Sequence, residues 1–381
     1  MNGNGASNPS AAQEGHGGRI PGLDGLRGLA AMGVVLLHSR ELPGFPEPLW
    51  VQSMVGWLGG QSVPLFFVLS GYLITHLLLR EEAKHGQISL KNFYARRGLR
   101  ILPAALCYLA GLMALSHWMG LNVKWREIAA SVFWYRNLLY GGWAAWEPKL
   151  LLDGAEAFTA HYWSLSVEEH FYMVWPALVV VMPSRFRSRL LLALVLILPI
   201  WRTANMKVDG IMGINYWRTD FVSDYLVLGA LLAVLEGQWR AHPYWRRFWS
   251  SRWVLAVSLG LLLSLRILEW ARPATGFLAK PLLFLGAVSG ISLAAMGLVL
   301  LVGIAVHGRR EWLDRFLNSR TLVWLGGISF SLYLWQQIFC DPGMRVVGWY
   351  FPFNAMAAIG VAAASHYLIE RPFLRLRHQF R

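Results

Sequence analysis

Two cysteines, Cys107 and Cys340, are too few for a disulfide framework or a cysteine-ligated metal cluster in a chain of 381 residues. Charge is scarce as well, with Asp, Glu, Lys and Arg making up 15% of the sequence against about a quarter in soluble domains. No polar stretch is long enough to form a core of its own, and the longest, residues 147–162, falls far short of an independent domain. Alternating apolar segments of about ten residues are missing, which excludes a membrane β-barrel. The start carries no positively charged region, and no small-residue cleavage site follows the first apolar stretch, Gly28 to Leu37, so no secretory leader is expected. Internal repeats are absent.

What is present is apolar: 56% of the residues, with a mean hydropathy of +0.41. These residues fall in blocks near the length an α-helix needs to cross hydrocarbon. The blocks are 23–41, 54–80, 99–119, 163–182, 190–206, 217–236, 252–270, 278–306, 321–340 and 345–369. The expected fold is therefore an all-α polytopic membrane protein of about ten transmembrane helices. Residues 1–20, rich in Gly, Asn, Ser and Ala, read as a disordered cytoplasmic tail; 21–373 form the membrane domain and 374–381 a basic cytoplasmic tail.

The net charge of +14 would point to nucleic acid in a soluble chain. Here the cations flank apolar blocks, as the positive-inside rule requires, so the partner is the lipid bilayer and no nucleic-acid role is expected. One segment, 126–146, carries Arg126, Glu127, Arg136 and Asn137 among its aromatics. If it does not cross, the basic stretches at 80–100, 185–189, 240–252, 309–320 and 371–381 all lie on one side. If it crosses, every later basic loop falls outside. The segment is expected to be re-entrant or interfacial on the outer face, with both termini cytoplasmic. Many of the 20 tryptophans, as in His242 to Trp253, read as an interfacial belt.

Ionisable residues within spans are costly and are the first site candidates. In the first helix Arg27 and His38 stand eleven residues apart, three turns plus about 20°, so they share a face with a rise of roughly 16 Å between them. Asp24, three residues before Arg27, is spaced to pair with it. A second cluster, Tyr162 to Trp175, opens the fourth span. Ser164, Glu168 and Tyr172 fall on one stripe, Glu169 and His170 follow Glu168, and Trp163 precedes the stripe. This orientation places both glutamates in the outer half, within reach of His38. A third cluster, Asn92 to Pro103, sets Arg97 and Arg100 at i and i+3 beside Arg96, a group able to fork onto phosphate oxygens at the cytoplasmic mouth. Together they fit a phosphate-rich donor held at the arginines, a long thin arm bridging the gap, and a neutral histidine drawing a proton from an alcohol. A proton-coupled or substrate transporter would use the same buried groups, and the Gly59-Gly60 and Gly326-Gly327 pairs would suit its broken helices. No pair of pseudo-symmetric halves is visible to support that alternative.

Six motifs in order carry a resemblance that runs from Gly22 to Phe373. They are Leu23-Asp-Gly-Leu-Arg27 with its spacing to His38, Phe66 to Ile74, Tyr94 to Pro103, Trp163 to Tyr172, Ile328 to Trp335 and Tyr367 to Phe373. The chain resembles the acyltransferase-3 family of bacterial integral membrane proteins, which acylate sugars and other hydroxyl-bearing molecules from acyl-CoA. The resemblance implies that Arg27 and His38 are essential, that Glu168 assists His38, and that Arg96, Arg97 and Arg100, with Ser70 and Tyr72, form the acyl-CoA site. It implies acyl-CoA, most commonly acetyl-CoA, as co-substrate with no permanently bound cofactor and no metal, a sugar or glycan acceptor, and residence in the bacterial inner membrane. After Leu334-Trp335 many relatives have a histidine where this chain has Gln336, so no acid–base role is expected there. Some relatives carry a fused extracytoplasmic domain; the sequence to Arg381 has none, and the membrane unit is expected to meet the acceptor itself.

Overall fold

The computed structural model describes residues 20–121, 123–141, 157–205, 217–270, 279–308, 310–340 and 350–380, which are helical with connecting turns and contain no strand. The helices are α1 (Leu23–Ser39), α2 (Leu49–Gly60), α3 (Ser62–His85), α4 (Leu90–Met119), α5 (Trp125–Val132), α6 (Arg136–Gly141), α7 (Ala157–Ala160) and α8 (Tyr162–Val181). They continue as α9 (Ser184–Asn205), α10 (Thr219–Trp239), α11 (Pro243–Ser250), α12 (Arg252–Trp270), α13 (Ala279–His307), α14 (Glu311–Leu317), α15 (Arg320–Cys340) and α16 (Phe353–Ser365). A π turn, His366–Glu370, leads on into α17 (Arg371–Leu376).

Among the described residues three helical stretches are long and apolar enough to cross a membrane: Leu49–His85, Leu90–Met119 and Gly290–His307. The first joins α2 to α3 through Gln61, directly after Gly59-Gly60. Gly326-Gly327, by contrast, lies inside unbroken α15. There Gly326 is needed for close approach, because a Cβ at that position would collide with the Asp24 backbone of α1.

That contact fixes direction. Gly326 meets Asp24 near the start of α1, while His38 and Ser39 at its end meet Gln336 and Cys340, so α1 and α15 run parallel. In α4 and α8 the order reverses: Tyr94 donates to the Met173 carbonyl and Tyr162 to the Ala105 carbonyl, so these two are antiparallel. Between α4 and α8 lies segment 126–146. Its described part is two short helices of 8 and 6 residues, the longer only about 12 Å in length. Residues 142–146 lie outside the described residues, as do most of the expected tail at 1–20 and all of the longest polar stretch up to residue 156.

The core runs between α3, α8, α10 and α13 around Phe67, Val68, Tyr72, Trp175, Leu226 and Leu298. A second apolar cluster, with Tyr108, Leu112, Phe158 and Leu334, seals α4 against α15. At the basic ends of the helices Arg187 forks onto Glu82 at 2.5 and 2.8 Å and also reaches the Val179 carbonyl at 2.7 Å. Arg96 bonds Glu81 at 2.7 Å. These pairs tie the end of α3 to α4 and α9.

Candidate active site

Five helices supply one internal cavity of about 70 Å³. Its polar lining is Arg27 from α1, Ser70 from α3, Arg97 and Arg100 from α4, Ser164 and Glu168 from α8, and Ser329 and Tyr333 from α15. Phe66, Phe67 and Phe330 make the apolar walls.

Glu168 is the hub of its charged half. Its carboxylate accepts from Ser70 at 2.8 Å and from Tyr172 at 3.1 Å, and Arg97 stands 3.9 Å away. The Arg97 guanidinium lies 3.7 Å from the Tyr172 ring centroid, a cation–π contact that supports its plane. Its Nε is buried without a hydrogen-bond partner. Asp24 sits 4.0 Å from Arg27, one turn below on the same helix. Arg100 lies in the field of Arg27, Arg97 and Glu370. Glu370 itself accepts from Ser331 at 3.0 Å and contacts His366 at 3.0 Å. Three guanidiniums therefore face one space, held by carboxylates that leave donor capacity uncovered, as a polyanion requires.

His38 stands beyond this cavity, at the far end of α1, where its Nδ1 lies 2.8 Å from Gln336 Oε1. Between the two regions, Tyr333 bonds Ser164 at 2.5 Å and the His161 carbonyl at 3.0 Å. The His161 ring is enclosed by Tyr108, Tyr162 and Tyr333, and both its nitrogens are buried without a hydrogen-bond partner.

The structure thus brings Arg27, Arg97, Arg100, Ser70, Glu168 and Tyr172 together and separates other sequence candidates from them. Tyr72 donates to Glu236 at 2.8 Å, inside the α3–α10 interface and away from the cavity. Arg96 is engaged by Glu81 and by the Phe380 carbonyl at 2.7 Å. Trp163 stacks on Trp217 with centroids 6.0 Å apart, and Glu169 does not line the cavity. Glu168 is bonded to Ser70 and Tyr172 beside Arg97, whereas His38 contacts Gln336. The reason is depth: α8 begins at the buried His161 and Tyr162, not at a surface, so antiparallel pairing with α4 lowers Glu168 to the level of Arg97.

Sequence reasoning missed Gln336 at His38 and Glu370 near Arg100. The signal for Glu370 was its i,i+4 spacing from His366, the residue just before the last motif; Gln336 had no signal other than standing where relatives have a histidine. Among the described residues no group of three or more His, Cys, Asp or Glu is placed to hold a metal.

A family model described as an acyltransferase domain matches residues 20–369, and the chain belongs to this acyltransferase-3 family. Among curated relatives, the O-acetyltransferase OatA of Staphylococcus aureus is 29% identical over 339 residues, covering 83% of this chain and 50% of the relative. The putative peptidoglycan O-acetyltransferase YrhL of Bacillus subtilis is 29% identical over 388 residues, covering 93% of this chain and 54% of the relative. A putative O-acetyltransferase of S. aureus strain COL is 28% identical, with 93% and 57% covered. The chain spans about half the length of these curated relatives. No solved structure matches it.

Proposed function

We propose that this protein is a multi-pass O-acyltransferase of the bacterial cytoplasmic membrane that moves an acetyl group from cytoplasmic acetyl-CoA to a hydroxyl of a sugar or glycan at the outer face. The observation that carries this reading is the placement of two chemistries on one helix. Arg27 opens α1 in the arginine-lined cavity, and His38 closes it roughly 16 Å further on. The basic ends of α3, α4, α8 and α10 face the cytoplasm in a ten-span arrangement with both termini inside. The parallel course of α1 and α15 supports it, since a crossing at 126–146 would reverse one of them.

In this reading Arg97, Arg100 and Arg27 take the phosphates of the donor by charge-assisted hydrogen bonds. The pantetheine arm runs between Phe66, Phe330 and Tyr333 toward His38, and the cavity widens to admit it. His38 accepts the proton of the acceptor hydroxyl while the oxygen forms a bond to the thioester carbonyl carbon. The C–S bond then breaks, and the leaving thiolate takes the proton back from His38. Ester and free CoA result, and the ring ends neutral as it began. Glu168 holds Arg97 in register with Tyr172 and has no part in the proton transfer. The names of the relatives make peptidoglycan the first acceptor to try.

Mass spectrometry of surface glycans from cells with and without the gene tests the reading. Loss of an alkali-labile acetyl increment in the deletion strain, restored by the gene, is expected. Unchanged glycan acetylation, with no acetyl transfer from acetyl-CoA in isolated membranes, would overturn it.

A further inference from the structure

The His38–Gln336 contact carries chemical information beyond proximity. An amide oxygen offers only lone pairs, so a ring nitrogen 2.8 Å from it must supply the proton. The other half of the amide agrees with this orientation, since Gln336 Nε2 donates to Gln337 Oε1 at 3.2 Å. Gln336 is fully buried, at 0% exposure, so water does not compete for its oxygen. One residue past His38, Ser39 contacts Cys340 at 3.4 Å and accepts from Asn354 at 2.8 Å. This buried polar knot pins α1 against α15 at the level where His38 meets Gln336.

We propose that Gln336 is the positioning residue for His38: it holds the proton on Nδ1 and thereby leaves the Nε2 lone pair as the base. The inference rests on the role proposed above for His38. Neutral imidazole has one N–H and one lone pair, and the partner of the first decides the direction of the second. Through the reaction Nδ1–H stays on Gln336, and only Nε2 gains and returns the substrate proton. An amide orients the ring without adding a charge, in contrast to a carboxylate partner. His161, whose buried ring feels the charge of His38 and of Arg136, makes no hydrogen bond through either ring nitrogen and leaves Nδ1 to Gln336.

The test uses the full chain in membranes supplied with radiolabelled acetyl-CoA, reading alkali-labile label on endogenous glycan. Gln336→Met keeps the length and removes the acceptor; it is expected to lower kcat on the order of 10–100-fold with KM for acetyl-CoA unchanged. Gln336→Glu restores an acceptor and should recover most of the rate. Nitrogen-15 histidine spectra of the unsubstituted protein, with the His38 signal identified by its loss in His38→Ala, should show protonation at Nδ1. A wild-type kcat in Gln336→Met, a KM effect alone, or protonation at Nε2 would overturn the inference and leave His38 as the base. Activity in His38→Ala would instead overturn the proposed function. The spectrum of the unsubstituted protein decides the question even where Gln336→Met fails to insert.

Discussion

The two ends of α1 are built on opposite electrostatic plans. Around Arg27 the protein gathers Arg97 and Arg100 and sets Glu168 against them, all lining or facing one cavity. Around His38 it places a buried neutral amide, and the adjoining Ser39 meets the Cys340 thiol and the Asn354 amide. A phosphate contact acts equally on ground and transition states and so contributes to KM, whereas a proton transfer exists only on the way to the transition state and contributes to kcat. Under the function proposed above, the division of charge along one helix is a division between holding the donor and performing the transfer.

The sharpest way to break this comparison is at its neutral end. His38→Ala should lower kcat by roughly 10²–10⁴-fold, the usual worth of a general base, with KM for acetyl-CoA unchanged. A large KM change in this variant would merge the two ends. At the charged end, Arg97→Ala and Arg100→Ala should each raise KM for acetyl-CoA about 10–150-fold with kcat preserved, since a hydrogen bond to a charged group contributes about 1.5–3 kcal/mol. Arg→Lys should recover part of that loss, because an ammonium cannot fork onto two oxygens. Steady-state kinetics in membranes, with acetyl-CoA varied, checks all of these.

Much of this arrangement is legible in the residues themselves. The shared face of Arg27 and His38 follows from helix periodicity alone, as do the Asp24–Arg27 pair and the stripe of Ser164, Glu168 and Tyr172. Depth is harder to read. Hydropathy marks where apolar character begins, so α8 was expected to open at the outer surface and Glu168 to lie beside His38. The start of α8 is buried instead, packed by α5 and α6, two helices too short for hydropathy to mark as spans. Tyr72 and Glu370 show the matching limit of motif reading. Tyr72 sits in the same motif as Ser70 but is two residues, about 200°, further round the helix, and so faces α10. Glu370 is turned inward by the π turn at His366–Glu370, a distortion that no spacing rule anticipates.

Glu168 gives the finest cut between the two ends, because sequence and structure assign it to different ones. Beside His38 it would stabilise the charged ring, and Glu168→Gln would lower kcat. In the structure its oxygens belong to Ser70, Tyr172 and Arg97, and its charge faces the space proposed for the donor phosphates. Glutamine keeps the size and one acceptor oxygen for these partners but removes the charge. A carboxylate and a phosphate some 7 Å apart, at an effective dielectric between protein and water, repel by on the order of 1 kcal/mol, which is about fivefold in affinity. Opposing this, a freed Arg97 loses some preorganisation, though Tyr172 still supports its plane. Glu168→Gln should therefore lower KM for acetyl-CoA by up to about fivefold and leave kcat near wild type. That gain should depend only weakly on ionic strength, because buried charges are screened much less than exposed ones. A tenfold fall in kcat at constant KM would return Glu168 to His38 and show that the charged and neutral ends of α1 work as one unit.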